Sequence, residues 1–251
     1  MSPRFALVLA ALGLCAVVSP AAMPTAAPTA GPAPAHLSEA EAVVAGPVTP
    51  ATGALYTFST TIAGKPVRWN PCTPIHWQFR AAGAPTGGLT VVKQTVARIA
   101  GATATTWVYD GTVSAVPTSA WLPKSTAGIR PVLIGWGDAA SSDLLRGLPS
   151  GVLGVTRTAW FGITQNGVSY ASIKAAVIVL DRTDHLALNG PVSWRTVLLH
   201  ELGHAMGLNH AGSNHQLMYP VLQPGLADLQ SGDLAGLARV GRSAGCITVP
   251  A

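Results

Sequence analysis

Charge is scarce in this chain: Asp, Glu, Lys and Arg make up 10% of its 251 residues. The formal net charge of +5 and the pI near 9.5 therefore rest on few groups. There is no dense run of Lys and Arg, so nucleic acid is not an expected partner. No apolar run reaches the roughly 20 residues that a bilayer core requires. Internal repeats are absent as well, which leaves out a stacked-repeat architecture. Cysteine is limited to Cys15, Cys72 and Cys246, and no glutamate follows Glu201.

What is present begins with a short apolar stretch. Arg4 precedes Phe5 to Val18, and Ser19-Pro20-Ala21-Ala22 follows. One positive charge, a short apolar centre and small residues after it have the form of a signal peptide over 1–22. A membrane span is the competing reading and falls short in length. Lipid anchoring at Cys15 is a minor alternative, because the bulky Leu14 before it is unlike the small-residue context of a bacterial lipoprotein site. The expectation is secretion to the extracellular space, with no stable membrane insertion once the segment is removed.

Residues 23–55 are rich in Pro, Ala and Thr with few large apolar side chains. Such a stretch buries too little surface to offset its ordering entropy, so it is a linker or short pro-segment, with at most a turn or two of helix from Leu37 to Val44. Residues 56–251 suffice for one domain. In an oxidising compartment Cys72 and Cys246 form the one possible pair. Closing so long a loop contributes on the order of 4–5 kcal/mol in the chain-entropy model. The alternative is two free or metal-binding thiols.

Within the domain, Ile75 to Arg80 alternates apolar and polar residues and gives a first strand. Leu89, Val92, Val96 and Ile99 recur at helical spacing. Thr105 to Tyr109, closed by Asp110-Gly111, gives a second strand, Pro131 to Trp136 a third, Gly154 to Phe161 a fourth and Ala175 to Leu180 a fifth. The last is apolar throughout, as in a strand buried on both faces. Ser193 offers a helix N-cap ahead of Trp194, Val197, Leu198 and Leu202. Asp228 to Val240 gives a closing helix with Leu229, Leu234 and Leu237 placed to pack, ended by Gly241.

The helix after Ser193 carries the densest chemical signal. His200 and His204 lie one turn apart on one face, so two imidazole nitrogens can reach one metal ion from a rigid support. Glu201 is beside them but angled away, which suits a base acting on water better than a ligand. Gly207 can take positive φ and stop the helix. The chain can then return His210 to the same ion, leaving a fourth tetrahedral position open, and zinc is the metal such a set favours. The competing reading is a helical sequence whose histidines spell the pattern by accident.

Together with Met218, the pattern His200-Glu201-x-x-His204-x-x-Gly207-x-x-His210 resembles the metzincin zinc endopeptidases. The spacing to Met218-Tyr219-Pro220 resembles the matrixins among them. The likeness is strongest from Val197 to Pro220 and extends across about Trp69 to Gly241. It implies an α/β (α+β) zincin fold: a twisted five-stranded mixed sheet, mostly parallel with one antiparallel edge strand, three helices, an active-site helix and a Met-turn. It also implies that Met218 forms an apolar base beneath the ligands. Tyr219, Pro220, Val221 and Leu222 would wall the pocket for the side chain after the scissile bond. Pro220 stands where some metzincins carry a zinc-reaching Tyr, so no further ligand is expected there.

Other features of the matrixins are missing. No Pro-Arg-Cys-Gly stretch lies between Met23 and Gly53, and no Asp-Gly-x-Gly-Gly calcium loop is found. Asp138, Asp143, Asp181, Asp184, His76 and His185 are candidates for an additional structural Zn2+ or Ca2+ site, each with an ordinary loop role as the simpler alternative. Asp233, where many matrixins have adjacent acids, could support the Met-turn.

The expected function is a secreted zinc endopeptidase with one catalytic ion, Glu201 as general base and a peptide or protein as substrate. The substrate would lie along a sheet edge, with Leu133 to Gly137 and Leu153 to Thr158 as cleft candidates. The missing later glutamate removes the thermolysin-like ligand set. A secreted binding module on an inactive metalloprotease scaffold is the competing reading, and Glu201 argues against it. The low charge and abundant Ala, Gly and Thr resemble high-GC bacterial secreted proteins. Nothing in the sequence assigns an oligomeric state.

Overall fold

In chain order the elements are β1 (Leu14–Val18), β2 (Thr57–Phe58), β3 (Thr61–Ile62), β4 (Lys65–Pro66), β5 (Ile75–Arg80), α1 (Gly88–Thr103), β6 (Trp107–Thr112), β7 (Val132–Gly137), β8 (Val152–Gln165), β9 (Val168–Asp181), α2 (Trp194–Met206), β10 (Leu208–Asn209) and α3 (Ser231–Val240). The structure is a computed structural model that describes residues 14–18, 52–123, 128–165 and 168–247. Most of the expected signal peptide, the linker up to residue 51 and the stretch Leu37 to Val44 lie outside the described residues.

Five strands of the domain form a mixed sheet in the order β8-β9-β7-β5-β6. β5, β6, β7 and β9 are parallel, and β8 is the antiparallel edge strand. With α1, α2 and α3 this is the expected five-stranded α/β architecture. The short strand β1 adds to the outer edge of β8, antiparallel, with Val18 opposite Val152 and Leu14 opposite Arg157.

Alternation along the strands divides the core in two. Ile178 and Leu180 of β9 join Val92, Val96 and Ile99 of α1 and Leu198, Leu199 and Leu202 of α2. Val177 and Val179 face the opposite side, where Leu122, Leu144 and Leu145 from the segments between β6 and β8 cover them. The uniformly apolar β9 sequence reflects burial on both faces.

Several boundaries and contacts differ from the sequence reading. Asp110-Gly111 does not close the second strand; β6 starts at Trp107 and runs on to Thr112 in partnership with β5. The fourth and fifth strands are 14 residues each, because β8 and β9 pair with each other well past the rest of the sheet. β7 lies between β5 and β9 with all six residues buried, so Leu133 to Gly137 cannot be a cleft edge. The last helix starts at Ser231 and excludes Asp228. Leu229 and Leu237 are buried, but Leu234 is exposed because it falls on the solvent side of α3. Gly241 ends α3 at φ −94°, without using its left-handed freedom. A Cβ there would lie well inside 3.0 Å of the Thr103 backbone, so space is what requires glycine.

Cys72 and Cys246 are joined in a disulfide with a Cα separation of 5.4 Å. The same join is reinforced by polar contacts. Arg68 donates to the carbonyls of Ala244 and Gly245, and the Asn70 side chain exchanges hydrogen bonds with Ile247.

Candidate metal centre

The helix α2, which carries His200 and His204, is held from both ends. Ser193 accepts from the Thr196 N–H while Thr196 returns a bond to the Ser193 backbone, a reciprocal cap that satisfies two otherwise orphaned donors. At the other end Gly207 sits at φ 110°, and a Cβ there would meet the Val67 carbonyl oxygen at 2.5 Å. Both the conformation and the close approach require glycine. Every residue of α2 except Arg195 is buried, so this helix runs through the core and has no wet face.

His200, His204 and His210 are buried and come together with one nitrogen of each within 4.8 Å of the others. His200 Nδ1 lies 2.7 Å from the Leu217 carbonyl and His204 Nδ1 lies 2.9 Å from the Leu208 carbonyl. A carbonyl only accepts, so both Nδ1 atoms carry the proton and both Nε2 atoms present lone pairs. Those two Nε2 atoms face each other at 2.9 Å. Facing lone pairs call for a cation between them. Burial, followed by the neighbouring imidazoles, holds His200 and His204 well below the usual histidine range, so protonation of the rings is disfavoured as the answer. A three-nitrogen set of this kind fits zinc.

Glu201 is fully buried between α2 and the edge strand β8. The Thr156 hydroxyl donates to its Oε2 at 2.6 Å. A Cβ on Gly154 would come within 3.1 Å of Glu201 Cγ and Oε1. The carboxylate thus lies against the strand whose other edge carries β1.

Met218 is buried and packs on Gly203 of α2, where a Cβ would lie well inside 3.0 Å of the Met218 sulfur. The turn is clasped to α3 in both directions. Asp233 accepts from the N–H groups of Leu217 (2.8 Å), Met218 (3.0 Å) and Gln230 (2.7 Å). Gln216 Oε1 accepts from Gly232 and Asp233 in the first turn of α3. Burial pushes the Asp233 carboxyl up, against the three donors that favour its charged form. Downstream, Tyr219, Pro220 and Val221 are partly buried and Leu222 is buried.

Among the described residues the six accessory-metal candidates do not form a set of three that could hold an ion, although Asp184 lies near Asp181 and His185. His76 pairs with Asp110, Asp138 with Arg182, and Asp143 with Ser119, while Asp181 accepts from Thr183. Among the described residues, the three histidines are the one group placed to hold an ion.

A family model of the matrixins matches residues 106–240, more than half of the chain and spanning β6 to α3. The chain belongs to the matrixin family. The family supports a metalloprotease-type function and implies a catalytic zinc, for which this matrixin has a histidine triad. No curated protein matches the chain.

The sequence reading placed Gly154 and Thr156 among the cleft candidates Leu153 to Thr158 without tying either to Glu201, and it did not point to Gly203. Period-two alternation in β8 places 154 and 156 on the α2 side, which is the signal that could have found them. Gln216 and the residues of β2 have no comparable local signal.

Proposed function

We propose that this matrixin is a secreted zinc-dependent endopeptidase in which His200, His204 and His210 hold the ion and Glu201 is the general base. The observation that carries the reading is the pair of facing Nε2 lone pairs beside a buried carboxylate fixed against an edge strand. When bound, zinc supplies Lewis-acid polarisation of the scissile carbonyl and of water. Glu201 takes the proton of the attacking water and returns it to the leaving amine nitrogen. Thr156 holds the carboxylate in place for both transfers. Leu217 and Leu208 carbonyls keep the two helix imidazoles in the tautomer that exposes Nε2.

The substrate would lie antiparallel along Leu153 to Thr158 of β8. Support comes from β1, since this edge already accepts an extended chain there. Tyr219 to Leu222 would wall the pocket after the scissile bond, over Met218. The Cys72–Cys246 bond supports an oxidising, extracellular setting, in keeping with an export signal at the N-terminus.

Cleavage of an unfolded protein by the purified chain tests this. A strong chelator should stop cleavage and added zinc should restore it. A chain that holds one zinc and cuts no unfolded substrate would contradict the reading.

A further inference from the structure

The loop that carries His210 is bonded along its length to a segment about 150 residues earlier. Gly53 N–H donates to the Gly212 carbonyl at 3.0 Å, and Gly212 N–H to the Ala54 carbonyl at 2.8 Å. β2 pairs with β10, placing Phe58 opposite Leu208 and Thr57 opposite Asn209, and Ser59 N–H donates to the Gly207 carbonyl at 2.9 Å. Two hydroxyls add to this frame. Thr57 Oγ1 donates to the His210 carbonyl at 2.8 Å, and Ser59 Oγ donates to the Leu208 carbonyl at 2.6 Å.

The Leu208 carbonyl is the one that also accepts from His204 Nδ1. Its two lone pairs are therefore both used, one by the second histidine and one by Ser59. That fixes where the oxygen points, and with it the ring orientation of His204. Thr57 acts on the backbone of the third histidine itself. His210 has no helix to set its position, so its loop must be ordered from outside.

We propose that Thr57 and Ser59 are positioning residues of the metal centre, holding His210 through its own carbonyl and His204 through the carbonyl of Leu208. The proposal rests on the three-histidine reading of the centre. It gives the segment 53–59, whose first residues were expected to belong to a linker, a defined part in metal binding.

The test uses the full chain with Thr57→Val, Ser59→Ala and the double variant, alongside Thr57→Ser and Ser59→Thr. The alanine and valine changes remove hydroxyls and leave the backbone pairing of β2 and β10 intact. Zinc affinity is read by competition with a chromophoric chelator, the ligand field by the visible spectrum of the cobalt form, and folding by thermal unfolding of the metal-free protein. The double variant should bind zinc about 10- to 100-fold more weakly, the range for outer partners of metal ligands, with a shifted cobalt spectrum. The hydroxyl-retaining variants should stay within about twofold of the parent. If the double variant does not fold, the single variants carry the same comparison. Zinc affinity and cobalt spectrum unchanged in hydroxyl-free variants would overturn the proposal, even if thermal stability falls. A parent chain that takes up no zinc would overturn the three-histidine reading and this proposal with it.

Discussion

His200 and His204 rise from a helix that is buried almost all round and capped at both ends, whereas His210 sits on a loop ordered by the residues around it. The helix pair is set by local geometry, since a spacing of four on a helix puts two rings on one face. The loop ligand depends on the segment 53–59, the glycine turn at 207 and the Met-turn, itself clasped to α3 by Asp233 and Gln216. One half of the centre is therefore a property of a single helix. The other half is assembled from residues far apart in sequence.

The largest effects should come from the ligands. His204→Ala should lower zinc affinity by far more than the roughly 100-fold upper range for outer partners. His210→Ala leaves the helix pair in place and should lower it less, as read by the same chelator competition. Equal losses would remove the distinction between the two halves. Next is the junction: Gly207→Ala forces a left-handed alanine against the Val67 carbonyl and should destabilise the chain by about 2–3 kcal/mol in denaturant unfolding.

A sharper contrast pairs two supports. Asp233→Ala strips the acceptor from three N–H groups and should destabilise the protein by about 2 kcal/mol while also weakening zinc binding. Ser193→Ala removes the helix cap and should destabilise by about 1 kcal/mol, leaving zinc affinity unchanged. A matching loss of affinity in the Ser193 variant would show that the helix needs outside support as much as the loop does.

The smallest effect lies away from the centre, at Asp138. The Ser141 side chain, Arg182 and the Ser141 N–H hold its carboxyl well below the usual carboxylate range. A depressed folded-state pKa stabilises fully above the unfolded value, near 3.9, and is lost as pH falls through the folded value. The Tm difference between Asp138→Asn and the parent should be present at pH 6 and shrink below about pH 4. A difference that grows on acidification would contradict this.

Much of this was legible in the sequence because it depends on near neighbours. The Ser193 cap, the histidine spacing and the turn at Gly207 lie within fifteen residues and obey helix geometry. The apolar run of β9 announced a two-faced strand for the same reason. Thr156 holding Glu201, Gly203 making room for Met218, and Thr57 and Ser59 reaching the ligand loop are contacts across the fold. Such residues have common identities and no fixed spacing to the motif. The reach of the β8–β9 pairing and the central place of β7 likewise depend on strand order, which a single strand's pattern does not encode.

The most direct test of the central claim compares the full chain with Glu201→Ala, both carrying one zinc, on an unfolded protein substrate. The parent should cleave and the variant, zinc-loaded and folded, should not. Cleavage by the zinc-loaded variant at the parent's rate would contradict the assignment of Glu201 as the base.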